Sequence, residues 1–277
     1  MTLEIRPMAG KIGAEILGID LAKPLDAPTR DAVRDALHQH LVIFFPRQSL
    51  EPAEHLAFAR AFGTPEGKHP FIPHTPEHEE VAVLSAKDGG RADVWHTDVT
   101  FSPRPPLGSI LSMKLCPDHG GDTLWANMYA AYETLSEPMK RMLGGLTAQH
   151  EVAAAAREVQ RKDRMRRLEP GRIKLPESLP SARHPVVRTH PVTGRKALFV
   201  NPAWTSHICE LAYAESEALL AFLFQHSTLP EHTVRRRWSQ GDVGFWDNRC
   251  TMHYAIADYG NEPRIIHRVT LQGEPPA

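Results

Sequence analysis

Cysteine is scarce here. Cys116, Cys209 and Cys250 are the only three, odd in number and far apart. They cannot build a disulfide framework, so the fold must rest on its core, and a reducing cytoplasm is the expected setting. No apolar run approaches the roughly 20 residues that a membrane-spanning helix needs. The opening Met1-Thr2-Leu3-Glu4-Ile5-Arg6 lacks the apolar stretch of a secretion signal. A dominant charge is also missing: the formal net charge of −1 gives no general attraction to nucleic acid or to an acidic membrane. Internal repeats and low-complexity tracts are absent. At 277 residues and 42% hydrophobic content, the chain is long enough and apolar enough to bury a sizeable core. Two residue types are abundant, with 24 prolines and 16 histidines. The prolines predict many loops; most of the histidines are expected to be surface or structural.

Many short strands with helices at the edges are expected. Residues 3–21 read as two strands. A helix opens at Pro28-Thr29-Arg30 and runs to about His40, with Val33, Leu37 and Leu41 at helical spacing. The run Leu41–Phe45 is a buried strand ended by Pro46. Ser49 is the expected cap of a second helix over residues 52–62. Further strands fall at 81–85, 107–115 and 122–125. Asn127 caps a helix to Leu135, and Ser136 caps another with Pro138 in its first turn. Residues 184–190 form a strand that turns at Pro191–Gly194 and pairs with 196–200. An amphipathic helix covers 213–225. The last strands are 233–238, 244–246, 251–254 and 264–272. There is no alternation of strands with helices, so a jelly-roll barrel is expected rather than a parallel sheet. The chain is expected to be a single domain over 1–277. A basic insert at about 152–183 reads either as a solvated helix and loop or as a lid.

The chemistry centres on Trp95-His96-Thr97-Asp98-Val99-Thr100-Phe101. Residues two apart on a strand share a side, so His96 and Asp98 present an imidazole and a carboxylate to one point. That pair is two thirds of a non-haem iron site, in which two histidines and one carboxylate hold one face of the metal. The second histidine is best supplied by His253, on a late strand that a closed barrel can bring to the same point. In Arg264-Ile265-Ile266-His267-Arg268, the two arginines and Ile266 share a face. Inward arginines without acidic partners on their own strand suggest two anionic small molecules, held through the planar guanidinium fork. Gly120-Gly121-Asp122-Thr123 adds a hydroxyl on a neighbouring strand.

These stretches, with His184–Val200 and Trp246–His253, closely resemble the taurine dioxygenase and 2,4-dichlorophenoxyacetate dioxygenase family of iron(II)- and 2-oxoglutarate-dependent oxygenases. The resemblance runs over nearly the whole chain and is nearer to the taurine branch. It implies a double-stranded β-helix, the cupin-like jelly roll, and a requirement for Fe(II), 2-oxoglutarate and O₂. His96, Asp98 and His253 match the iron ligands and catalytic centre. Thr123 and Arg264 match the residues that hold the distal carboxylate of 2-oxoglutarate, and Arg268 matches the arginine that meets the substrate anion. His69, Ile72 and Trp204 fall at substrate-pocket positions. Ile72 stands in place of a tyrosine and Trp204 in place of a phenylalanine. Ala92 replaces an asparagine, and Ala156 replaces an aromatic residue.

These replacements remove polar or bulky groups, which argues against taurine itself and for a larger, more apolar anion. The implied reaction hydroxylates the carbon beside the anionic group of a sulfonate or alkyl sulfate. It releases an aldehyde with sulfite or sulfate, alongside succinate and CO₂. An aryloxy acid is the alternative substrate. The competing classes are a cupin-like zinc or manganese hydrolase or isomerase and a catalytically dead binding protein. The resemblance also implies a homo-oligomer, with no nucleic-acid or membrane partner.

Overall fold

The computed structural model describes residues 3–68, 72–85, 92–152, 154 and 179–277. Fifteen strands dominate: β1 (Glu4–Pro7), β2 (Ala14–Leu17), β3 (Val42–Phe45), β4 (Ala82–Ser85), β5 (Gly108–Leu115), β6 (Thr123–Asn127), β7 (Thr147–Glu151), β8 (Ser181–Pro185), β9 (Val187–Thr189), β10 (Lys196–Leu198), β11 (Thr205–Ile208), β12 (Thr233–Arg236), β13 (Val243–Asp247), β14 (Thr251–Ala255) and β15 (Ile265–Leu271). Among the described residues the main helices are α1 (Ala27–His40), α2 (Pro52–Arg60), α3 (Met128–Glu133), α4 (Glu137–Leu143) and α5 (Tyr213–Ser227). Among the described residues, no helix is long and apolar enough to cross a membrane.

The largest sheet has the order β1-β2-β3-β13-β5-β15-β4 and is antiparallel except at β2–β3. A three-stranded sheet, β12-β6-β14, accompanies it. Side-chain alternation divides the core. Ile43, Phe45, Ile110, Val243, Phe245 and Val269 join Val33 and Leu37 of α1 and Leu56 and Phe58 of α2 in one cluster. Phe44, Leu111, Trp246 and Ile266 join Trp125 and Met252 of the smaller sheet in a second. Each such side chain, taken fully out of water, contributes about 1.5–3 kcal/mol, so these two clusters hold the layers together. An aromatic chain runs through the second: Phe44 meets Trp125 edge-on at 5.2 Å, and Trp125 meets Trp246 at 6.0 Å. The jelly-roll architecture expected from the strand pattern is what the chain adopts.

Local rules explain most element ends. Asp26 accepts the Thr29 N–H at 2.8 Å and starts α1, and Asn127 does the same for Ala130 at the start of α3. Three local expectations need correction, and one strand was not expected. Ser49 does not cap α2. It sits at φ 48° in a turn whose Gln48 and Ser49 N–H groups donate to the Gly241 carbonyl; Glu51 begins the helix instead, with its N–H bonded to Glu54 at 2.8 Å. The segment 184–190 is two strands, because Val186 leaves the ladder to bond with Leu146 and Phe199. The stretch 205–208 is a strand paired with β7, although it lacks an apolar run. His96 and Asp98 do not lie on a regular strand: His96 forms a single bridge to His253, and a turn begins at Asp98. Most of the basic insert at about 152–183 lies outside the described residues.

Candidate active site

Three sheet strands and one loop carry the site. The loop 92–98 lies against β14, where His96 and His253 exchange backbone hydrogen bonds of 3.0 and 2.7 Å. That bridge brings the two imidazoles together, with ring centroids 4.0 Å apart and planes tilted by 49°. Asp98 Oδ1 lies 3.7 Å from His96 Nε2 and 3.8 Å from His253 Nε2. The ligand-type atoms of all three residues fall within 4.8 Å of one another, and all three side chains are buried. Donors on one transition-metal ion stand about 3 Å apart when each bond is near 2.1 Å, so a slight inward adjustment lets one ion bridge all three.

Hydrogen bonding sets the atoms that face inward. His96 Nδ1 donates to the Val94 carbonyl at 2.7 Å, which leaves the Nε2 lone pair toward Asp98. His253 Nδ1 is buried and has no partner among the described residues. The His253 ring packs on Trp246 with centroids 4.8 Å apart. Ser109 on β5 donates to Asp98 Oδ2 at 3.2 Å. Oδ1 is therefore the oxygen turned to the histidines.

The electrostatics favour cation binding at this point. Burial lowers the His96 pKa, and Asp98 opposes the effect in part. Burial, then the adjacent His96, brings His253 down to about 3. Burial alone would raise the Asp98 carboxyl. Arg268 first, then His253, His96 and the Ser109 hydroxyl, outweigh it and bring Asp98 down to about 2. Two neutral imidazoles and an ionised carboxylate thus converge, which is the protonation state a metal requires.

A cavity of about 90 Å³ opens beside these groups. His96, His253, Thr123, Arg264 and Arg268 line it with Trp246, and Leu84, Leu111, Ile256 and Ile266 make its walls apolar. Arg264, Ile266 and Arg268 face it together, as their alternation predicts. Arg268 is not without a partner, since its Nη1 lies 3.6 Å from Asp98 Oδ1 on another element. Arg264 has no carboxylate within 4 Å among the described residues; its Nε is buried and unbonded, and burial lowers its pKa. A half-buried guanidinium with no carboxylate in reach is costly, so this end of the cavity suits an anion. Gly121, at φ 69°, leaves the room: a Cβ there would stand 3.2 Å from Arg264 Nε. Thr123 Oγ accepts the Trp238 indole N–H at 2.9 Å. The residues present therefore fit both a divalent metal and a small dianion beside it.

The other expected pocket residues are less gathered. His69 and Ala156 lie outside the described residues. Among the described residues, neither Ile72 nor Trp204 lines this cavity, whereas Ala92 does. Trp204 meets Phe101 edge-on at 4.8 Å, and its indole N–H is buried without a partner among the described residues. Trp246 is both core and wall. Asn248, Ser109 and Trp238, which touch Asp98 or Thr123, were not picked out from the sequence. Asn248 and Trp238 belong to runs that were noted for other residues, and nothing local marks Ser109.

A second buried group, His190, Asp247 and Cys250, also brings ligand-type atoms within 4.8 Å of one another. It is an ion-pair network. Asp247 Oδ1 accepts from Arg249 N and Nε, while Oδ2 accepts from Arg249 Nη2 and from His190 Nε2 at 3.0 Å. His190 Nδ1 in turn accepts two backbone N–H groups. No lone pair is left over for a metal at the carboxylate's in-plane positions. His150 and His184 are structural as well, and hold the Thr100 side chain and carbonyl behind the Asp98 turn at 2.9 and 2.8 Å.

A jelly roll that converges two histidines and one carboxylate on an open cavity has the ligand set of the mononuclear non-haem oxygenases. The chain belongs to the taurine catabolism dioxygenase TauD, TfdA family, whose model matches residues 4–270. It is 42% identical to an α-ketoglutarate-dependent sulfate ester dioxygenase of Pseudomonas putida, over all of this chain and 91% of that protein. It is 40% identical to an alkylsulfatase of Acinetobacter baylyi, over 98% of this chain and 86% of that protein. The crystal structure of a taurine dioxygenase from Burkholderia xenovorans superposes with a TM-score of 0.86 at 36% identity, covering 100% of this chain and 91% of that one.

Proposed function

We propose that the protein is an Fe(II)- and 2-oxoglutarate-dependent dioxygenase that cleaves alkyl sulfate esters by hydroxylating the carbon next to the ester oxygen. One observation carries this reading: His96 and His253 of a two-histidine, one-carboxylate group, an Arg264 with no carboxylate within 4 Å among the described residues and an Arg268 beside Asp98 all line one apolar-walled cavity. His96, Asp98 and His253 would hold the metal. Thr123 and Arg264 would hold the far carboxylate of 2-oxoglutarate, and Arg268 the anionic group of the substrate. When bound, the ferrous ion with 2-oxoglutarate and O₂ supplies the hydroxylating oxidant, releasing succinate and CO₂.

The charges agree with this set of occupants. Arg264, Arg268 and a divalent ion bring four positive charges. Asp98, a keto-diacid and a monoanionic substrate bring four negative ones. The filled site is therefore close to neutral, as a desolvated site should be. Arg268 would grip the sulfate with parallel N–H donors, which points the carbon next to the ester oxygen toward the metal. The apolar walls would take the alkyl chain and exclude water. The hydroxylated ester then loses sulfate and a proton as its C–O(S) bond breaks, leaving an aldehyde.

Two relatives at 40 and 42% identity are named for sulfate esters, which favours the ester over a sulfonate. Ala92 on the cavity wall supports an apolar chain over a polar amine. His69, Ile72 and Trp204 are the further proposed substrate positions, although neither Ile72 nor Trp204 lines the cavity among the described residues. The three free cysteines suit a reducing cytoplasm, and a homo-oligomer is the proposed assembly. The test is succinate release with Fe(II) and 2-oxoglutarate across a panel of alkyl sulfates, alkyl sulfonates and aryloxy acids. Coupled release of aldehyde and sulfate from the alkyl sulfates is expected. Stimulation by the aryloxy acids alone would overturn the sulfate assignment.

A further inference from the structure

The turn that joins β13 to β14 carries a residue with no place yet in the reaction. Asn248 is 1% exposed, and its side-chain amide is spent on the Asp98 loop. Its Oδ1 accepts the Asp98 N–H at 2.8 Å; its Nδ2 donates to the Asp98 carbonyl at 3.1 Å and to the Pro106 carbonyl at 3.2 Å. One primary amide thus satisfies both backbone polar groups of Asp98, as a neighbouring strand would. Asp98 needs such a partner because it lies in a turn, outside any ladder, and is buried. The next residue, Val99, stands at φ 52°, which a β-branched side chain adopts only when its surroundings impose it.

The contact is one of three in register. His96 bridges His253 through the backbone, Thr97 Oγ donates to the Thr251 carbonyl at 2.8 Å, and Asp98 pairs with the Asn248 amide. The segment from Asn248 to His253 therefore also fixes the other two groups of the triad. With Asn248 holding the Asp98 backbone and Ser109 holding Oδ2, Oδ1 is the oxygen that faces the imidazoles, with Arg268 Nη1 3.6 Å away.

We propose that Asn248 is a positioning residue that presents Asp98 as a one-oxygen metal ligand, so that metal affinity depends on its amide. This rests on the assignment of Asp98 as a ligand made above. Outer hydrogen-bonding partners of ligands typically change metal affinity 10- to 100-fold when removed.

The test titrates the metal-free full chain with Mn(II) alone and follows free Mn(II) by electron paramagnetic resonance. Wild type, Asn248→Ala and Asn248→Asp are compared, with folding checked by circular dichroism. Asn248→Asp keeps the shape and the acceptor for the Asp98 N–H but cannot donate to the Asp98 and Pro106 carbonyls. Both variants are expected to fold and to bind Mn(II) at least tenfold more weakly, with a smaller Mn(II)-induced rise in Tm. Folded variants that bind Mn(II) within twofold of wild type would overturn the proposal. So would loss of fold in both, which would assign Asn248 to the fold alone. Failure of wild type to bind Mn(II) would instead sink the ligand assignment itself, so the two failures are distinguishable.

Discussion

Trp238 donates its indole N–H to Thr123 Oγ at 2.9 Å from inside the core. The indole can only donate, so the hydroxyl must accept, and its own proton is free to be given to something else. Thr123 lines the cavity beside Arg264, so that proton is offered where a carboxylate would lie. Gly244 makes the arrangement possible: a Cβ there would come within 2.8 Å of the Trp238 ring. Replacing Trp238 with Phe removes the N–H and lets the threonine hydroxyl turn away. The expected result is a rise of about fivefold in the KM for 2-oxoglutarate, with kcat nearly unchanged, matching one hydrogen bond of about 1 kcal/mol. Steady-state kinetics at saturating substrate check it; an unchanged KM would show that Thr123 donates elsewhere.

Arg264 has no carboxylate within 4 Å among the described residues, and its Nε is buried and unbonded. Its replacement by Ala should raise the 2-oxoglutarate requirement by about 100-fold, because charge-assisted hydrogen bonds contribute about 1.5–3 kcal/mol each. Lys at this position keeps the charge but not the fork, and should recover only part of the loss. Measured succinate formation against 2-oxoglutarate concentration decides it, and a normal requirement in both variants would place the anchor elsewhere.

Arg268 touches Asp98 and faces the proposed substrate. Arg268→Ala should lower kcat/KM for an alkyl sulfate by about 100-fold or more, while 2-oxoglutarate consumption without substrate continues. Comparing uncoupled with substrate-stimulated consumption separates the two effects. Equal losses in both would mean that Arg268 serves the metal rather than the substrate.

Ala92 lies on the cavity wall and is small. Ala92→Asn places an amide against the apolar chain of the substrate. A drop of about tenfold in kcat/KM for long alkyl sulfates is expected, with short polar sulfonates less affected. An unchanged chain-length preference would remove Ala92 from the specificity wall.

His55, a fully buried residue of α2, offers a pH test away from the site. Burial first, then repulsion from His267, lowers it to about 3, and its Nε2 bonds the Ile110 carbonyl at 3.1 Å. The unfolded chain takes up its proton near the ordinary value of 6.5, while the folded chain does not until about 3. Between those values the unfolded state binds more protons, so stability falls as pH falls, by about 1.4 kcal/mol per pH unit for one such group. Metal-free His55→Gln should therefore lose Tm less steeply than wild type between pH 6.5 and 4. Parallel slopes would show that His55 does not stay neutral.

Much of this was legible in the chain. The parity of Arg264, Ile266 and Arg268 correctly put three side chains on one cavity, because a strand fixes side-chain direction in steps of two. His96 and Asp98 meet as expected, but not by strand parity alone: only His96 is bridged, and Asp98 is turned inward by Ser109, 11 residues on, and by Asn248, 150 residues on. That support was hidden because side-chain-to-backbone hydrogen bonds leave no periodic trace. Ser49 misled for a related reason. Its local chemistry suits a cap, but its backbone is claimed by Gly241, nearly 200 residues later. The strand at 205–208 was missed because Thr, Ser and His carry no alternation, and its ladder depends on β7 alone.

The most direct measurement is product stoichiometry with a single alkyl sulfate. Aldehyde, sulfate and succinate should form in equal amounts, only with Fe(II), 2-oxoglutarate and O₂ all present, and Asp98→Ala should form none of them. Sulfate released without O₂, or undiminished in Asp98→Ala, would mean that the ester is cut by hydrolysis and that the triad is not the seat of an oxidation.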